Sequence, residues 1–227
     1  MSMKSQSKVG RLASSLVAVA PGPVALPRDL PGGLAQDYLD FLAATNGGYT
    51  ADYLFHFFGA SGSREHDVVR WNLPETWKEG FGLDGYSFVF AEDILGNQYY
   101  FHLGSRRKVT KVFCIDDGTS LPCADDLPGF VDNVVNSPAV TSEPRRLFEA
   151  FRKSSGLDYP LFHHLSNKIP ACLGGDDTDL ANLEFSNSIV HLDFMGQVVN
   201  QVKSLPAGTV IRNVTIDPIT SKLRLLT

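Results

Sequence analysis

Cysteine is scarce in this chain, with Cys114, Cys123 and Cys172 the only three among 227 residues. No C-x-x-C pair occurs, so neither a disulfide scaffold nor a zinc knuckle is expected, and reduced thiols in the cytoplasm are the simplest reading. A positive balance is lacking too: the formal net charge is −5 and the sequence pI is near 5.6. That argues against direct binding of nucleic acid or of an anionic membrane, both of which need a basic face. Long hydrophobic runs are missing, since no stretch approaches the ~20 consecutive apolar residues of a membrane span. Lys4, Lys8 and Arg11 ahead of Leu12–Ala20 imitate a secretory signal. Two serines break its apolar run and Pro21 follows the only plausible cut, so residues 1–20 are expected to be an N-terminal tail or helix. No G-x-S-x-G, H-E-x-x-H, G-x-G-x-x-G or Walker pattern is present, so nothing local supports an enzyme or a bound cofactor. What the chain does have is 43% hydrophobic and 11% aromatic residues, enough for a sizeable core.

Prolines at 21, 23, 27 and 31 with three glycines give an extended lead-in. Leu34, Tyr38, Phe41 and Leu42 then fall at i, i+4, i+7, i+8, one face of a helix, and Asn46-Gly47-Gly48 ends it, because Asn and Gly enter the left-handed region most readily. Residues Tyr53–Phe58 and Val68–Trp71 read as two strands around a polar turn. Tyr86–Ala91, Gln98–Leu103 and Lys111–Ile115 read as an antiparallel meander with Gly96-Asn97 as a hairpin connection. Phe130–Val135 suggests a closing helix that Pro138 stops. Beyond it, Glu143–Phe151 is a helix with Gly156 at its end, Ile189–Phe194 alternates like a strand, Met195–Lys203 is a helical candidate, and Thr209–Ile216 with Ser221–Leu225 form a hairpin. The fold class expected is α+β: an antiparallel sheet flanked by helices over residues 21–138, with a C-terminal α+β extension over 139–227.

Acids concentrate at Asp116, Asp117, Asp125, Asp126 and Asp132, then at Asp176, Asp177, Asp179, Glu184 and Asp193, with no Lys or Arg between Gly174 and Asn200. They solubilise loops in one reading and steer a basic partner in the other. Asp176, Asp177 and Asp179 miss the spacing of a twelve-residue calcium loop, so no metal is expected there. His163 and His164 are adjacent and face different directions, so with Cys172 they make a poor metal set. His191 reads as a half-buried strand residue. Trp71 and Trp77 flank Pro74 and either anchor an interface or clamp a loop to the core.

The phrases Leu26-Pro27, the helix with Asn46-Gly47-Gly48, Phe88–Asp93 with Gly96-Asn97, the strand from Val109 to Ile115, and the helix at Phe130 occur in this order over residues 25–137. That order resembles the SUKH superfamily, which includes bacterial toxin-immunity proteins and a yeast regulator of cell-wall synthesis. The tail from Leu161, with Leu173-Gly174-Gly175-Asp176, is similar to the end regions of some type VI secretion immunity proteins. The resemblance implies an immunity-type protein that occludes a cognate protein toxin, such as a basic nuclease, or else a regulatory scaffold of the yeast type. It implies no catalytic set. The expected partner-binding residues are Asp116, Asp117, Asp125, Asp126, Asp176, Asp177, Asp179, Trp71 and Trp77.

Overall fold

Six antiparallel strands form a meander in which each pairs with its sequence neighbour: β1 (Gly48–Tyr49), β2 (Phe55–Phe57), β3 (Ser87–Asp93), β4 (Gln98–His102), β5 (Thr110–Cys114) and β6 (Thr119–Ala124). The computed structural model describes residues 3–83, 85–104, 110–220 and 222–227, with side chains from Lys8 onward. Val109 and Ser221, which the sequence reading placed in strands, lie outside the described residues. The helices are α1 (Met3–Ser15), α2 (Gln36–Thr45), α3 (Val68–Trp71), α4 (Lys78–Phe81), α5 (Leu127–Phe130), α6 (Pro138–Ser155) and α7 (Ser188–Ser204). Two hairpins complete the chain, β7 (His163–Asn167) with β8 (Leu183–Asn187) and β9 (Asn213–Ile216) with β10 (Leu223–Leu226).

Strand alternation sorts the sheet into two faces. Phe55 and Phe57 point toward α2 and α5, where Phe57 meets Phe41 and both meet Phe130. Tyr38, Phe90, Phe101 and Phe130 fill the same layer with edge-on and stacked rings, the geometry aromatic quadrupoles favour. His56 lies between the two phenylalanines in sequence and faces the other side. All seven residues of β3 are buried: Asn72 and Lys78 bond to its first half, and His164 from the region after residue 138 reaches Glu92 near its end.

Asn46 explains why the first described turn after α2 is built as it is. Its φ of 55° ends α2 in the left-handed region, which Asn tolerates. Its side chain then donates to Pro21 O and Ser61 Oγ and accepts from the amides of Ala60 and Ser61. A glycine could make the turn but none of these bonds. Gly47 follows at φ 70°, and a Cβ there would sit 2.4 Å from Phe57 O.

Three expectations need correction. Val68–Trp71 is helical, since Asp67 accepts from the amides of Val69 and Arg70 and caps a short turn. Ile189–Phe194 belongs to α7 because Asn187 Oδ1 accepts from the amides of Ile189 and Val190, and a cap outweighs six residues of apparent alternation. Pro138 ends one element but also opens the next, standing at the first position of α6, where its missing N–H costs nothing. The C-terminal region is fastened along the sheet by Leu165 N to Ile94 O at 2.7 Å and by Phe162 N to the Tyr49 hydroxyl at 2.9 Å. α7 crosses α4 where Gly196 meets Gly80.

Candidate partner-binding site

The second face of the sheet carries a buried polar chain that the sequence reading did not find. His66 Nε2 donates to Asn46 O at 2.8 Å, so in the neutral ring Nδ1 is an acceptor. Burial first, and the neighbouring His56 second, bring the His66 pKa down to about 4, which makes the ring neutral near pH 7. His56 Nε2, 2.9 Å from His66 Nδ1, must therefore donate. Its Nδ1 also donates, to Glu92 Oε1 at 3.1 Å. His56 thus carries hydrogen on both ring nitrogens and forms an ion pair with Glu92, and Tyr49 stacks on it at 4.4 Å and 11°, a cation–π arrangement. Burial pushes the Glu92 carboxyl upward, yet the electrostatic pull and hydrogen bonds of His164 and His56 outweigh it and bring the pKa to about 2.

Glu92 Oε2 accepts from His164 Nε2 at 3.0 Å and from Gln98 Nε2 at 3.1 Å. Gln98 is held in turn by Trp71 Nε1, which donates to its Oε1 at 2.9 Å. His164 Nδ1 and His191 Nδ1 are 3.0 Å apart. Burial, then His164 beside it, lowers the His191 pKa to about 3. The two facing nitrogens share one hydrogen, which closes the chain at α7. His66, His56, Glu92 and His164 are at most 3% exposed, so the relay is closed to any substrate and joins β2, β3 and β7 to α7.

At the His191 end lies a cavity of about 240 Å³ between the β5–β6 turn, α6, β7, the loop before β8, and α7. Leu95, Pro144, Leu147, Leu165, Leu183 and Met195 make its apolar walls, and Asp116, Glu143, Asn167, Asp177, Thr178 and His191 supply polar groups. Gly96, at φ 95°, closes the β3–β4 turn against the relay, and a Cβ there would come within 2.8 Å of His164 Nδ1. Asn167 Oδ1 is buried without a hydrogen-bond partner among the described residues.

The nine residues expected at an interface divide. Asp116, Asp117 and Asp177 come together: partial burial raises the Asp116 pKa although the side chain still meets solvent, and repulsion from Asp117 and Asp177 adds to it. Asp176 and Asp179 are exposed on the same loop but hold it, Asp176 accepting from Thr178 and Asp179 from the amide of Ala181. Asp125 and Asp126 lie past the other end of β6, ~20 Å away along a six-residue strand, and Asp126 caps α5 through Gly129 N. Trp71 and Trp77 are 0% and 2% exposed; in the core Trp71 stacks on Phe58 and Trp77 lies tilted against Phe113. The core alternative weighed from sequence is the one that describes them, and sealed indoles present nothing to a partner. No helix among the described residues is long and apolar enough to cross a membrane.

A meander covered by helices on one face and crossed by a histidine–glutamate relay on the other defines an α+β domain. Residues 26–133 match the SMI1 / KNR4 family (SUKH-1), and this segment supports membership of the SUKH superfamily. Members of that superfamily are generally non-enzymatic immunity or regulatory proteins that bind partner proteins. No curated protein matches the chain. Among solved structures it is similar to the crystal structure of Atu4351 from Agrobacterium tumefaciens, with 16% identity and a TM-score of 0.51 over 99% of this chain and 90% of that one. That likeness concerns the fold, and it extends through the C-terminal region.

Little in the sequence marked the relay. His56 in a phenylalanine-rich strand was the one local sign, since a titratable ring in such a run needs a buried partner. Glu92 lies inside the Phe88–Asp93 phrase, where nothing local distinguishes it from a solvent-facing strand residue.

Proposed function

We propose that this chain is an immunity-type protein that binds a cognate bacterial toxin and neutralises it by occlusion, in the cytoplasm and without turnover. The observation that carries the reading is the convergence of Asp116, Asp117 and Asp177 beside a cavity in a SUKH-superfamily protein. Such a patch attracts a basic partner and raises its rate of encounter. In this reading residues 1–20 are an N-terminal tail or helix, 21–138 the SUKH unit, and 139–227 an extension that completes the binding face. The toxin has a basic contact surface, as a nuclease does around its active site.

The test is co-expression with toxins encoded in adjacent reading frames, scored by cell survival and by complex formation with purified protein. Rescue together with a nanomolar 1:1 complex supports the proposal. Absence of protection, with several weaker endogenous partners captured instead, would favour a regulatory scaffold.

A further inference from the structure

We propose that the seam cavity receives a guanidinium or ammonium group on an alkyl stem, delivered as an arginine or lysine side chain of the partner protein. The inference rests on the proposed function for its source of the cation, and on geometry for the rest. The carboxylates of Asp116, Glu143 and Asp177 give the described lining of the cavity a surplus of acceptors. Asn167 Oδ1 is buried without a partner among the described residues, and His191, 8% exposed with Nδ1 3.0 Å from His164 Nδ1, is a lining residue. Asp116 and Asp177 stand at the same opening, while no lysine or arginine is among the lining residues. Glu143 is already paired with Arg146. Lys203 approaches from α7, but its ammonium donates to Gly118 O on the turn, leaving the carboxylates of the mouth uncompensated.

A donor-rich cation answers this arrangement, because guanidinium and ammonium groups have only N–H donors. The leucine, proline and methionine walls suit the methylene stem that such side chains bury while their heads stay polar. About 240 Å³ holds one such side chain and excludes a folded segment. The acidic rim brings the basic surface to the mouth, and the cavity then fixes one residue of it.

The experiment titrates agmatine, and separately the peptide acetyl-Gly-Arg-Gly-amide, into the isotope-labelled full chain while the side-chain resonances of Asn167 and His191 are followed. Both ligands should give saturable shifts, and the neutral analogue N-carbamoylputrescine should give none. D116N/D177N, whose fold is checked by circular dichroism, should weaken agmatine binding by about tenfold. Equal shifts from the neutral analogue, or none from any ligand, would overturn the cavity assignment. Agmatine binding with unchanged affinity of D116N/D177N for a cell-protective toxin partner would overturn the assignment to a partner's side chain. Failure to protect cells while agmatine still binds would count against the immunity reading and leave the cation cavity in place.

Discussion

Glu92 on β3 accepts a hydrogen bond from His164 on β7 at 3.0 Å, across 72 positions of sequence, and so ties the C-terminal region to the centre of the sheet. The same carboxylate balances the imidazolium of His56. Removing its charge leaves that cation buried, and breaking a buried pair in this way costs about 3–5 kcal/mol. Glu92→Gln is therefore expected to lower stability by that amount in urea denaturation. The loss should be largest for amide-exchange protection around Leu165, which donates to Ile94 O beside the pair. An unchanged midpoint would show that the ion pair is absent.

The relay also sets the response to acid. His66 and His191 have folded-state pKa values of about 4 and about 3, below the ordinary histidine value near 6.5. The unfolded chain takes up protons first, so both sites stabilise the fold above pH 6.5 and lose that contribution as the pH falls toward 4 and 3. At pH 5 the loss is about 2 kcal/mol for each histidine. Glu92, lowered to about 2, is depressed below its usual value near 4.5 and adds a further loss only below that pH. Melting temperature should fall steadily from pH 7 to pH 5, well before carboxylates titrate. A flat profile over that window would mean the two rings are already charged in the folded protein.

Much of the sheet was legible because the signals were local. The Asn46-Gly47 stop, the Gly96 turn and the aromatic strands each follow from residues within a few positions of one another, and the SUKH order of phrases links them. The C-terminal region was harder for a physical reason. Ile189-Val190-His191-Leu192-Asp193-Phe194 alternates like a strand, yet it is buried from several sides at once, so Asn187 as a cap decided its form. The acids of the candidate site were visible one by one, but their division was not: Asp177 meets Asp116 only through the tertiary fold, and Asp125 is carried away along β6. The relay joins residues 46, 56, 66, 92, 164 and 191, and no spacing rule connects them.

Gly196 offers a test of the crossing between α7 and α4. A Cβ at this position would lie 2.7 Å from the carbonyl carbon of Gly80, and backbone cannot yield as a flexible side chain does. Asn200 also donates to Gly80 O, so the two elements cannot part without losing that bond. Gly196→Ala should destabilise the protein by about 1–3 kcal/mol, the usual cost of overpacking, despite the better helix propensity of alanine. Chemical denaturation reads the change; a neutral or stabilising result would place the helices further apart than they stand here.

Charge reversal separates steering from solubility. Asp116 and Asp177 line the cavity and make no hydrogen bond among the described residues that holds their loops, whereas Asp117 and Asp176 accept from Thr119 and Thr178 and would disturb the turns if replaced. D116K/D177K should slow association with a basic toxin partner about tenfold at low salt, with the difference shrinking as ionic strength rises and the Debye length falls below ~10 Å. D125K, past the far end of β6 and free of a capping duty, should leave the rate nearly unchanged. Stopped-flow association at two salt concentrations measures both. If D125K slows binding as much as the double variant, the whole acidic surface attracts the partner and the cavity mouth has no privileged place in the encounter.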